Sequence, residues 1–125
     1  MQTVNFPQFD KFVCVGDTIS WNVDGFDITA RIVQDYDTRP TDFDCYTPEQ
    51  IEQWRNDGWF YCGVVLSVHL KGIELSHHAA SLWGIDCNSG PDNSYLSEVA
   101  QELEAEALDV ARVELERIKQ IVIEH

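Results

Sequence analysis

Apolar and polar residues alternate most persistently over residues 59–70, WFYCGVVLSVHL. The even positions Phe60, Cys62, Val64, Leu66, Val68 and Leu70 are all apolar, while the odd positions include Ser67 and His69, the period-two signature of a strand with one buried face. The run predicts a central strand whose even face builds the core. Its odd face, with Trp59, Tyr61, Ser67 and His69, is the more polar one and the place to look for function.

The same alternation recurs upstream. Ile19, Trp21 and Val23 alternate with Thr18, Ser20 and Asn22, and beyond Asp24-Gly25 the residues Phe26, Ile28, Ala30 and Ile32 alternate with Asp27, Thr29 and Arg31. An Asp-Gly step accepts the positive φ angles of a tight turn, so this stretch predicts a β-hairpin. Before it, residues 1–16 carry Phe6, Phe9, Phe12, Val13 and Val15 around Pro7 and predict an apolar N-terminal arm packed on the body, with a short strand over 12–15.

Two further segments read as helices. Thr47 as N-cap, Pro48 at the first helical position and Gln50 at the third complete a capping box. The short helix it starts runs through Ile51 and Trp54, with Trp54 turned to the core, and stops at Asp57-Gly58, with Gly58 suited to the left-handed position. Residues 94–122 contain no glycine or proline, and Leu96, Val99, Ala100, Leu103, Ala107, Val110, Ala111, Ile118, Ile121 and Val122 recur at three- and four-residue spacing. At ~1.5 Å per residue this long terminal helix would span on the order of 40 Å, more than a small sheet, so part of it should project, curve or pack on a second subunit. Between the helices, Lys71-Gly72 turns the central strand back into 73–77 and 81–87, with Ala79-Ala80 between them; whether these form one strand or two stays open at this stage.

The order predicts a single α+β domain over 1–125: two layers, with a mainly antiparallel sheet of four to five strands covered by the long C-terminal helix. The chain has 125 residues, enough for one core. No apolar run approaches the ~20 residues that span a bilayer, and the N-terminus lacks a basic start followed by an apolar stretch, so the expectation is a soluble cytoplasmic protein.

Charge changes the picture most. With 22 acidic against 8 basic residues the formal net charge is −14. Phosphates and anionic membranes repel such a chain and no basic patch offsets this, which disfavours direct nucleic-acid or membrane binding and points to basic proteins or cations as partners, or else to acidity that only keeps the protein soluble. On the terminal helix, Glu98, Glu102, Glu104, Glu106 and Asp109 precede Arg112, Arg117 and Lys119, each sign at the end that the helix dipole favours. A homodimer through the apolar stripe of this helix is a further expectation.

Candidate chemistry is sparse. Cys14, Cys45, Cys62 and Cys87 lack the close pairing of a zinc site and are expected to be reduced. Asp35, Asp37, Asp42 and Asp44 crowd one irregular stretch, but a calcium loop starting at Asp35 would need glycine and glutamate where Pro40 and Tyr46 stand. His69 and Cys62 point to opposite faces of their strand, and no nucleophile, phosphate-loop or metalloprotease motif occurs. No enzyme, metal or cofactor is expected. What remains is a recognition surface, in which aromatics supply affinity and acids steer. Its members would be Asp35, Tyr36, Asp37, Asp42, Phe43, Asp44 and Tyr46 of the loop. Trp59, Tyr61 and His69 of the central strand would join them, with Glu98, Glu102 and Glu106 of the terminal helix.

Residues 38–46 (TRPTDFDCY), Pro48-Glu49-Gln50-Ile51 with Trp54, Leu82-Trp83-Gly84-Ile85 and Asn93-Ser94-Tyr95-Leu96 together resemble small acidic proteins of unknown function from bacteria, phages and plasmids. The resemblance implies a mobile-element context, in which such proteins often inhibit host defence by occupying nucleic-acid-binding surfaces. The expected function is a non-enzymatic interaction module acting by nucleic-acid mimicry. The alternative is a small-ligand-binding domain using the polar face of the sheet, with Trp59, Tyr61 and His69 lining a cleft.

Overall fold

The computed structural model describes residues 6–123, so residues 1–5 of the expected arm lie outside the described residues. Four strands form one antiparallel sheet in the order β1-β2-β3-β4: β1 (Thr18–Val23), β2 (Phe26–Gln34), β3 (Phe60–Leu70) and β4 (Ile73–Cys87). A 3-10 turn (Pro40–Asp42) and the short helix α1 (Pro48–Arg55) lie between β2 and β3, and α2 (Ser94–Glu102) and α3 (Glu104–Ile123) close the chain. The α+β architecture is the one the alternation predicts, with the segment after Lys71-Gly72 resolved as one bulged strand.

The core follows from the even positions. Cys62, Val64, Leu66 and Val68 of β3 are fully buried and join Ile28, Ala30 and Ile32 of β2. Against this face pack Leu96 and Ala100 of α2 and Ala107, Leu108 and Ala111 of α3. Each large side chain taken out of water here is worth about 1.5–3 kcal/mol. Cys62 and Cys87 meet across β3 and β4 as a disulfide, their Cα atoms 6.6 Å apart, so the expectation of four reduced cysteines holds only for the exposed Cys14 and Cys45.

Two local expectations are corrected. Residues 12–15 form no strand, because side-chain amides hold the arm: Asn88 receives the Val13 N–H at 3.0 Å and donates to its carbonyl at 2.9 Å, and buried Asn93 donates to the Lys11 carbonyl at 2.7 Å. Trp54 is only half-buried, since α1 is a surface helix with no buried residue. The long terminal helix forms as expected, α2 running on into α3 through a turn at Leu103, and the Glu104 carboxylate of α3 accepts the Trp21 indole N–H at 2.7 Å.

Among the described residues none beyond Ala111 is fully buried; Leu115 and Ile118 still pack partly on the core, whereas Val122 and Ile123 are largely exposed, so the last turn of α3 projects past the sheet. Arg112 ties the helix to the β1–β2 turn through Asp24 at 3.0 Å and lies 5.7 Å from the centre of the Phe26 ring. Among the described residues no helix is long and apolar enough to cross a membrane.

Candidate functional site

The odd face of β3 is not the open face that Ser67 and His69 suggest. Trp59 is 3% exposed and Tyr61 1%, and Val65 and Ser67 are buried as well. The reason is compositional: only the last third of the odd positions is polar, and Trp59, Tyr61, Gly63 and Val65 need a cover. The chain supplies one in pieces. Tyr46 stacks on Trp59 with centroids 5.3 Å apart, Phe43 and Tyr46 lie 6.4 and 6.3 Å from the Tyr61 ring, and Arg31 reaches over Ser67 with a 2.6 Å hydrogen bond. The cleft that a small-ligand reading would line with Trp59 and Tyr61 is filled by Tyr46.

Trp83 covers the centre of this face. Opposite Gly63, the pairing of β4 skips from Ile85, which faces Cys62, to Leu82, which faces Val64, leaving a bulge of Trp83 and Gly84 with Gly84 at φ +73°. A Cβ placed on Gly63 would come within 2.4 Å of the Trp83 ring, so the indole rests directly on the strand backbone. Its N–H donates to Ser81 at 3.1 Å.

Asp35 holds the neighbouring loop to the bulge. It directly follows β2 at 8% exposure, and its two oxygens accept four hydrogen bonds: from the N–H groups of Asp37 at 2.9 Å and Thr38 at 3.2 Å, from the Thr38 hydroxyl at 2.8 Å, and from the Gly84 N–H at 2.9 Å. Burial pulls its pKa upward, but the four donors outweigh burial and leave it below the ordinary aspartate value. Asp35 is therefore a clamp with its acceptor capacity spent, not a member of an exposed acidic surface.

The clamp leaves its neighbours outside. Tyr36 is 84% exposed, and Asp37 and Asp44 are exposed. Asp42 is also exposed and accepts the Arg39 N–H at 3.2 Å, closing the 3-10 turn. Gln34, Asp35, Tyr36, Asp37, Thr38 and Trp83 line an open cleft of about 590 Å³. Of the residues predicted to act together, the structure leaves Tyr36, Asp37, Asp42, Phe43 and Asp44 exposed along the segment after β2 and packs Tyr46, Trp59 and Tyr61 against one another and against Phe43. His69 lies near the far end of β3, 3.7 Å from Glu74. Glu98, Glu102 and Glu106 are exposed on the helical layer, which covers the opposite face of the sheet, so they share no surface with the loop. Trp83 is the residue that sequence reasoning missed. A glycine following it inside a strand-like run is the available signal of a bulge.

Next to the covered aromatics, Asp86 accepts hydrogen bonds from the hydroxyls of Tyr46, at 3.2 Å, and Tyr95. The Tyr61 hydroxyl is buried beside that of Tyr46, with no partner in good hydrogen-bond geometry among the described residues. Burial is the main force raising the pKa of all three tyrosines, so they stay neutral under ordinary conditions. No group of three or more His, Cys, Asp or Glu side chains among the described residues is arranged to hold a metal ion. No family model matches the chain, and no curated protein or solved structure matches it.

Proposed function

We propose that the protein is a non-enzymatic, acidic protein–protein interaction module that presents the outer side of the 36–44 loop to a basic surface of its partner. The observation that carries this reading is the division of labour among the aspartates: Asp35 is consumed in fixing the loop, while Asp37, Asp42 and Asp44 stay exposed beside the exposed rings of Tyr36 and Phe43. A loop fixed in advance loses little conformational entropy on binding, and exposed aromatics beside unpaired carboxylates combine affinity with steering.

In its finer form the reading is nucleic-acid mimicry by a mobile-element-encoded inhibitor of host defence, with the three exposed aspartates taking the place of backbone phosphates. The net charge of −14 supports it. The carboxylates of α2 and α3 would meet a second surface or none, being on the other layer. A cytoplasmic location belongs to the same reading; at 0% exposure, Cys62 and Cys87 are out of reach of thiol reductants in the folded chain.

Affinity capture from a lysate of the cell in which the protein acts provides the test. The wild-type chain should retain a basic, nucleic-acid-handling protein at low salt and lose it at moderate salt, because exposed charges are screened beyond ~10 Å at 0.1 M. Added duplex should compete for that protein. The Asp37→Asn/Asp42→Asn/Asp44→Asn variant should retain none of it, and equal retention by the variant would rule the reading out.

The projecting end of α3 adds a homodimer to this proposal, supported by the exposed Val113, Val122 and Ile123. Light scattering at micromolar concentration should give twice the 14.3 kDa chain mass. A species of the chain mass alone would remove the dimer and leave the loop surface untouched.

A further inference from the structure

We infer that the cleft between Tyr36 and Trp83 is a guanidinium site that takes one arginine side chain of the basic partner. This rests on the reading of the loop as an interaction surface and adds the chemistry that the surface selects.

The floor of the cleft is negative. Asp35 has four hydrogen-bond donors around it, but no basic side chain pairs with it among the described residues, so its charge is dispersed and not cancelled. Asp37 adds a second carboxylate at the lining, exposed and held by no hydrogen bond of its own side chain, and the Gln34 amide offers a further acceptor. The walls are aromatic. Tyr36 is 84% exposed and Trp83 43%, large rings left in water, and the indole cannot sink further because Gly63 already lies against it.

Each part narrows the ligand. An anion is repelled by both carboxylates. A neutral apolar group would cover the rings but strip water from Asp37 without pairing it, which is unfavourable. A flat cation satisfies both demands: it stacks on an aromatic face and forks two N–H groups onto a carboxylate. Guanidinium is such a cation, whereas the ammonium of lysine is a compact point charge with no flat face to stack. At about 590 Å³ the cleft also leaves room for the residues that flank the arginine.

Fluorescence anisotropy with labelled hexa-arginine and hexalysine peptides, titrated with the whole protein, tests this. The wild-type protein should bind hexa-arginine about fivefold or more tightly than hexalysine, the size of one well-placed cation–π contact. Tyr36→Ala and Trp83→Ala should each erase most of that preference and change hexalysine binding little. Tyr36 is 84% exposed, so its variant is informative even if Trp83→Ala is destabilised. Equal binding of the two peptides, or a preference that survives Tyr36→Ala, overturns the guanidinium site. If in that case Asp37→Asn/Asp42→Asn/Asp44→Asn still weakens both peptides, the acidic module stands without it. If neither peptide binds, both fall.

Discussion

Asp35→Ala is expected to lower the unfolding free energy by about 2–4 kcal/mol, far more than neutralising Asp37, Asp42 or Asp44 beside it. A single hydrogen bond to a charged group contributes ~1.5–3 kcal/mol, and Asp35 makes four that share two oxygens, so their sum is not additive. The loss concentrates at Gly84, whose N–H is tied up at the β4 bulge, whereas the N–H groups of Asp37 and Thr38 find water more readily. Asp35→Asn should recover little: its amide replaces one accepting oxygen with a donor, set against positions that already donate.

The effect has a pH signature. The folded pKa of Asp35 is depressed, so its contribution is complete above the unfolded value and disappears as pH falls through the lower, folded value. Denaturant unfolding of wild type and Asp35→Ala should therefore differ by a constant amount from neutral pH down to the region of 3.8, the value of an unperturbed aspartate, and converge below it. Curves that coincide at neutral pH, or that converge well above that region, would show that the carboxylate is not the clamp.

The contrast between Asp35 and its neighbours explains what the sequence could and could not convey. Alternation assigned the even positions of β3 to the core, and Asp24-Gly25 fixed the first hairpin, with φ of 54° and 89° at the turn and Val23 facing Phe26. The Thr47 and Gln50 capping box was equally legible, with both reciprocal bonds formed. These features depend on residues within a few positions of each other.

Features that depend on distant partners were not legible. Four aspartates look alike in a loop; Asp35 is set apart by local bonds from Asp37 and Thr38 together with the Gly84 N–H, 49 residues away, which no local pattern announces. Trp59 and Tyr61 looked open because nothing local says that Tyr46 and Phe43 fold back over them. Even the end of α1 turned on a contact: Asp57 takes the left-handed conformation at φ 63°, and Gly58 is needed instead because its N–H closes on the Gln53 carbonyl at 2.6 Å, where a Cβ would sit 3.0 Å from that oxygen. The turn at Leu103, where α2 passes into α3, has no glycine or proline to announce it.

Gly63 extends the same argument to a substitution that looks harmless in sequence. Alanine has no conformational difficulty in the middle of a strand, and the side chain it adds is small. Here, however, its Cβ would lie 2.4–2.7 Å from three atoms of the Trp83 ring, closer than carbon atoms approach. Either the indole swings away, breaking its bond to Ser81 and baring the centre of the odd face, or the bulge shifts and pulls Gly84 from Asp35. Overpacking of this kind costs about 1–3 kcal/mol, and Gly63→Ala should show that loss with a change in Trp83 fluorescence toward a more solvated indole. The Trp83→Ala background separates the ring contact from any backbone effect. With the indole gone the three atoms nearest the added methyl are removed, so Gly63→Ala should cost much less there, and the cycle should report a coupling comparable to the loss in the single variant. If Gly63→Ala costs the same in both backgrounds, the ring does not rest on the strand, and the outer wall of the cleft is not fixed in the way a guanidinium site requires.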